Sequence, residues 1–372
     1  MDSATVVPPY VANPLELLPF RAVMLSPTRV GDPASARALA RPYRDVAARL
    51  TQWIDRGDAR ADSAPALYLH EYTSGGLTIR GLVGALRVSE RAASLDDRAV
   101  WPHEAIHPEQ AGELAERMRQ MDLNPAPILL VHHGGDELRE LLHDVARAEP
   151  DWRYLDRTGQ RQRLWAVRDP DTIARIGKLI SASRCLLADG HHRYAAYLRL
   201  QEEHPGTPWD TGLAMLVDQA DTPLFLGAIH RTIPGVGLDV LVRATREAGA
   251  EVAQQPRRLA LGALDSTHLV LTDGETWYAV APHGLDREAA VSWLHDHVLT
   301  RLPEPPKRLE HHHTVDDALT ATSPAAPAVL LPSPDFEQVM ALVESGGLLP
   351  EKATSFQPKP SLGVIMRPVL DE

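Results

Sequence analysis

The stretch Leu186-Leu187-Ala188-Asp189-Gly190-His191-His192-Arg193-Tyr194 constrains this chain more tightly than any other. An apolar run over 184–188 stops at Asp-Gly, and a segment of helical character, Tyr194-Ala195-Ala196-Tyr197-Leu198-Arg199-Leu200, follows at once. That order reads as strand, turn, helix. A glycine in the turn lets backbone approach a ligand, and the first turn of a helix presents unpaired N–H groups with a partial positive charge. Arg193 adds a planar fork suited to phosphate or carboxylate. His191 and His192 can donate, accept or shuttle protons near neutral pH. Asp189 can cap the helix, hold a metal or take a proton. Asp-Gly is also ordinary turn chemistry, and His-His-Arg an ordinary solvated first turn. On spacing alone the anion site and the plain turn stand level.

The 372 residues allow two domains or one elaborate one, and 44% hydrophobic with 24% charged residues is a globular composition. A formal net charge of −12 repels a phosphate backbone and excludes a general nucleic-acid binder, while leaving room for a local basic pocket. The single cysteine, Cys185, rules out an internal disulfide, lies in an apolar run as a buried thiol would, and fits a reducing compartment. No apolar stretch approaches the roughly 20 residues of a membrane span, and no signal-peptide pattern opens the chain. The expectation is a cytoplasmic protein, and the abundance of Ala, Arg and Pro fits a GC-rich bacterial genome.

Short strand patterns alternate with helical ones, so the fold class is α/β of the mixed α+β kind. Residues 1–18 read as an irregular lead, 19–235 as the core domain, and 236–372 as a C-terminal α/β region whose last loop and strand (346–366) return to the core. Strands are expected over 19–24, 66–72 and 77–86, the last two joined as a hairpin at Ser74-Gly75-Gly76. One helix is expected over 35–54, and another after Asp169-Pro170, with proline near its first position.

Other segments carry possible chemistry. Pro102-His103-Glu104 offers Glu104 as a general base or metal ligand, against the commoner surface glutamate. The loop over 346–359 carries Lys352, Thr354, Ser355 and Lys359, a set able to bind phosphate or simply to face water. Glu310-His311-His312-His313 with Asp316-Asp317 has zinc-ligand chemistry, but adjacent histidines cannot all face one ion on a helix, so a solvated loop is preferred. His230-Arg231 ends a strand with a basic tip that joins the anion pocket if the strands are neighbours. The chain holds no P-loop, Gly-x-Gly-x-x-Gly or Gly-x-Ser-x-Gly pattern.

Taken together, the segments resemble the domain-of-unknown-function 1015 family, whose hallmark is Ala188-Asp189-Gly190-His191-His192-Arg193-Tyr194. Further matching pieces follow the family's order: Pro19-Phe20-Arg21, Ala66-Leu67-Tyr68 with Arg80-Gly81, Pro102-His103-Glu104, Arg163-Leu164-Trp165, Ile229-His230-Arg231, and Leu349-Pro350-Glu351-Lys352-Ala353-Thr354-Ser355-Phe356-Gln357-Pro358-Lys359-Pro360. The hallmark is similar to the turn of the ParB/sulfiredoxin superfamily, which includes nucleotide-dependent free-serine kinases. The resemblance implies a ParB/sulfiredoxin-like nucleotide-binding core and a small-molecule phosphotransferase acting on L-serine or a similar hydroxy amino acid, with ATP or ADP and Mg²⁺. It implies Gly190, His191, His192, Arg193, Lys352, Thr354 and Lys359 as phosphate or nucleotide ligands. Asp189, Glu104 and His191 are implied as catalytic groups, Glu104 and Asp189 as Mg²⁺ ligands, and His230, Arg231 and Arg80 as further pocket residues. The alternatives are a non-catalytic nucleotide- or phosphate-binding accessory or sensor protein, and a different reaction in a specialised biosynthetic pathway that reuses the phosphate pocket. The family's Pro-Pro-Tyr-Asp-Val block after Pro-Phe-Arg has no counterpart here, and Ala353 replaces the serine of its Lys-Ser-Thr trio.

Overall fold

The computed structural model describes residues 5–40, 46–285 and 288–369. The chain is mixed α/β and forms two compact units, Met1–Leu224 with Pro358–Glu372, and Phe225–Gln357.

The first unit is built on a nine-stranded mixed sheet. Across it run Val100–Pro102, Cys185–Asp189, Ile128–His132, Thr211–Asp218, Leu77–Arg87, Leu67–Ser74, Arg161–Val167 and Trp152–Leu155. Two pairings are parallel, Cys185–Asp189 with Val100–Pro102 and Thr211–Asp218 with Ile128–His132. The ninth strand, Leu17–Leu18, pairs with Leu86 and Ala85, beyond the point where Leu67–Ser74 has run out of partners. The central strands are apolar almost throughout because helices cover them, and one core joins Leu82, Leu130, Leu187 and Leu216 to Tyr194 and Tyr197 of the helix His191–Glu203. Gly212 admits this helix: a Cβ there would lie 2.2 Å from the Tyr197 ring.

The lead is less irregular than its sequence suggests. Leu15 is fully buried, Val6 and Ala12 form bridges to Ile106 and Arg98, and the Tyr194 hydroxyl accepts from Val11 N–H and donates to Pro9 O, each at 2.9 Å. Residues 1–4 lie outside the described residues. Of the helix expected over 35–54, Pro33–Ala40 and Val46–Asp55 are helical, and residues 41–45 lie outside the described residues. The helix Pro170–Ile180 follows the sequence rule, with the Asp169 carboxylate accepting from Thr172 N–H at 2.8 Å.

The second unit holds an antiparallel six-stranded sheet in the order Glu251–Gln254, Trp277–Ala281, Leu269–Thr272, Ala328–Leu330, His230–Thr232, Glu310–His312. Its core gathers Val270, Trp277, Ala328 and Leu330 under Ala260 and Ala318. Glu310–His312 is an edge strand here and not the loop its composition suggests; its register sets His312 opposite His230 and His311 opposite Arg231.

Candidate functional site

Because Cys185–Asp189 and Val100–Pro102 run parallel, both chains leave the sheet at the same end, and the loop after Pro102 lies beside the turn after Asp189. The register against Ile128–His132 slips between Leu187 and Asp189, from Leu187 opposite Leu130 to Asp189 opposite Leu129. This bulge at Ala188 re-aims the side chains at the strand's end. Gly190 then takes φ +94° and caps the helix His191–Glu203. A side chain there would be strained by the left-handed backbone, and its Cβ would lie 2.9 Å from Ile128 Cγ2 and 3.0 Å from Arg193 Nη2.

Arg193 folds back over this turn. Its guanidinium donates to Asp189 Oδ2 and to Pro127 O, both at 2.5 Å. Lys359 donates to the other oxygen, Asp189 Oδ1. One carboxylate therefore lies between two cations, leaving an excess of positive charge at the mouth of a cavity of about 350 Å³. Beyond that charged end the walls are mainly apolar: Leu114, Met118 and Met121 from the helix Pro108–Met121, with Pro127, Leu129 and Leu362. An apolar pocket with a few convergent polar groups is the usual form of a small-molecule site.

Each of the two histidines holds a neighbouring loop through one ring nitrogen. His191 Nε2 accepts from His103 N–H at 3.3 Å, and His192 Nε2 accepts from His107 N–H at 3.1 Å. Both rings thus pin the loop that carries Glu104. Burial holds His191 well below its ordinary pKa, with neighbouring His103, His192, Lys359 and Arg193 acting in the same direction, and burial takes His103 down to about 4. These two rings are neutral at pH 7, so the approach of His103 Nε2 to Glu104 Oε1 at 3.7 Å is no ion pair there. With Nε2 accepting, the His191 proton sits on Nδ1.

Asp189 offers Mg²⁺ no open oxygen as arranged. Both Asp189 oxygens are engaged by cations, and among the described residues no group of three or more His, Cys, Asp or Glu side chains is placed to hold a metal ion.

Arg80 donates to the buried Glu71 at 2.8 Å, lies 3.5 Å from Asp221, and lines a different hollow with His143 and Arg147. His230, Arg231, Lys352 and Thr354 belong to the second unit, whereas Lys359 belongs to the first. His230 Nδ1 accepts from Leu331 N–H at 3.1 Å. Arg231 is fully buried and donates to Ile229 O at 2.8 Å and Lys352 O at 2.9 Å, so it holds a loop in place. Thr354 begins a strand that pairs with Phe225–Ala228. The cavity residues Leu114, Met118 and Met121 escaped the reading of the sequence, although their i, i+4, i+7 spacing marks one face of a helix. Arg367 escaped as well; it is buried and donates to Asn124 Oδ1 at 2.9 Å and Pro208 O at 2.6 Å, anchoring the segment that delivers Lys359.

No curated protein matches the chain. A free serine kinase variant in complex with ADP is 16% identical over 76% of this chain and 92% of its own, with a TM-score of 0.40. SbnI with a C-terminal truncation, from Staphylococcus aureus, is 13% identical over 76% of this chain and 85% of its own, with a TM-score of 0.42. A conserved hypothetical protein from Pyrococcus furiosus is 17% identical over 76% of this chain and 93% of its own, with a TM-score of 0.39. The model of the protein of unknown function family DUF1015 matches residues 17–304, and the chain belongs to that family.

Proposed function

We propose that the first unit binds a nucleotide, ATP or ADP, and transfers a phosphoryl group from it to a small hydroxy compound such as L-serine. The observation that carries this reading is the Asp189 carboxylate lying between Arg193 and Lys359 in the wall of a largely apolar cavity that Arg117 also lines. A base would rest on Leu114, Met118 and Leu129. The phosphates would take the two cations, and N–H groups of the first helical turn after Gly190 would complete the cradle. Phosphoryl transfer asks a protein mainly for positioning and charge neutralisation, which such a site supplies. The acceptor hydroxyl oxygen forms the new P–O bond, the bond to the departing nucleotide oxygen breaks, and the hydroxyl proton passes to a carboxylate, Glu104 or Asp189. In this reading His191 and His192 act as positioning residues, since their rings fix the loop bearing Glu104.

Incubation of the protein with ATP or ADP, Mg²⁺ and L-serine, with phosphoserine as the readout, tests the reading. Product is expected, and absence of product from every hydroxy amino acid overturns the transferase. A second reading, nucleotide binding without turnover, is favoured by one observation: Asp189 already has both oxygens committed to cations. Saturable nucleotide binding with no phosphorylated product selects it.

A further inference from the structure

A second basic hollow lies on the first unit at the outer edge of its nine-stranded sheet. It encloses about 380 Å³ and shares no residue with the Asp189 cavity. Four arginines line it from three elements: Arg147 from the last turn of the helix Asp136–Arg147, Arg153 from the edge strand, and Arg161 and Arg163 from Arg161–Val167. Glu149 is the one carboxylate among the lining residues. The strand register explains the gathering. Arg153 pairs with Arg163, Arg163 with Glu71, and Glu71 with Arg80, so one row across four strands reads Arg-Arg-Glu-Arg. Glu71, 2% exposed, contacts both Arg163 and Arg80, so its single charge is divided between two guanidiniums.

The other partners are weak ones. Arg147 meets Asp144 at 2.6 Å with the two side chains 80% and 61% exposed, and Arg153 meets Glu149 at 3.4 Å with 66% and 78% exposed. Pairs this open are weakly held and separate readily when a better acceptor arrives. Arg161 is in no ion pair among the described residues. Beneath them lies a fixed apolar floor: Trp165 is 3% exposed, its indole N–H donates to Ala148 O at 2.8 Å, and the Arg163 guanidinium lies 5.7 Å from its ring centre. In a chain of net charge −12, these four guanidiniums meet three carboxylates, Asp144, Glu149 and Glu71, the last shared with Arg80, so a local excess of positive charge is left for an anion to offset.

We infer that this hollow is an anion site for a compact small molecule carrying at least two phosphate or carboxylate groups. Guanidiniums arriving from three elements approach from different sides, which suits several acidic groups on one molecule; each fork can take one group in bidentate fashion. The inference does not depend on the nucleotide reading, because the two sites share no residue.

Calorimetric titration in 0.15 M NaCl tests it, with pyrophosphate and citrate as probes and Lys359→Ala protein as the background, so that the Asp189 cavity is impaired. Saturable binding of at least one probe is expected. Adding Arg153→Glu and Arg161→Glu should weaken it at least tenfold, while the same pair in the otherwise unaltered chain leaves ADP affinity unchanged. Arg153→Gln with Arg161→Gln, which removes charge with little change of size, should also weaken it at least tenfold, and an unchanged melting temperature shows that the fold is kept. Tighter pyrophosphate assigns phosphate groups, and tighter citrate assigns carboxylates. No saturable binding of either probe overturns the site, as does binding that the arginine changes leave untouched.

Discussion

Gly190 meets two demands at one position, a left-handed backbone and a close approach to Ile128 and Arg193. Gly190→Ala should therefore cost about 1–3 kcal/mol of stability, read as a lower urea midpoint at unchanged slope; an unchanged midpoint would contradict the strain. Arg193 makes one charge-assisted bond to Asp189 and faces the cavity, so Arg193→Ala should weaken ADP binding by about 1.5–3 kcal/mol, measured by calorimetry. An unaltered affinity would remove Arg193 from the site. These residues were legible in the sequence because glycine and clustered charge carry their meaning locally. The structural part played by Arg231 was not. What an arginine does depends on what the fold sets beside it, and for Arg231 that is a set of backbone carbonyls in a fully buried place.

At the scale of elements, the strand–turn–helix over Cys185–Asp189 and His191–Glu203 matches the sequence reading closely, because an apolar run, a glycine and a run of helix-forming residues state it in contiguous residues. The bulge at Ala188 does not show in the sequence, since it exists only relative to the neighbouring strand. The edge strand Trp152–Leu155 also went unread: four residues alternating half-buried and exposed carry too little period to separate from a loop. The lead was misread for a related reason. Its order comes from distant partners, among them backbone groups of Ile106, Asp97 and Ser181 and the Tyr194 hydroxyl, which satisfies Val11 N–H and Pro9 O. Tyr194→Phe leaves both without that partner and should cost about 1–3 kcal/mol, with faster amide exchange at Val11. Exchange at Val11 that matches the unaltered protein would show that the lead is held by other contacts.

Across the whole molecule, buried neutral histidines tie stability to pH. Burial lowers His70, His103 and His132 in the first unit and His230 and His295 in the second to about 4, from an ordinary 6.5. The unfolded chain binds these protons first as pH falls, so the stabilisation is intact above about pH 6.5 and is lost progressively as pH drops towards 4. Melting temperatures of both units should fall across that window, and a flat profile would contradict the neutral, buried state. The mixed α/β class was legible from alternating short strand and helix patterns, whereas strand order was not, since it depends on pairings between residues far apart in sequence. The segment from Pro358 onward belongs to the first unit and carries Lys359 to Asp189, so this ion pair joins residues 170 positions apart. Titration of ADP into the unaltered protein and into Lys359→Ala tests that assembly most directly. The account predicts saturable binding to the first and at least tenfold weaker binding to the second; equal affinity, or no binding to the unaltered protein, would contradict it.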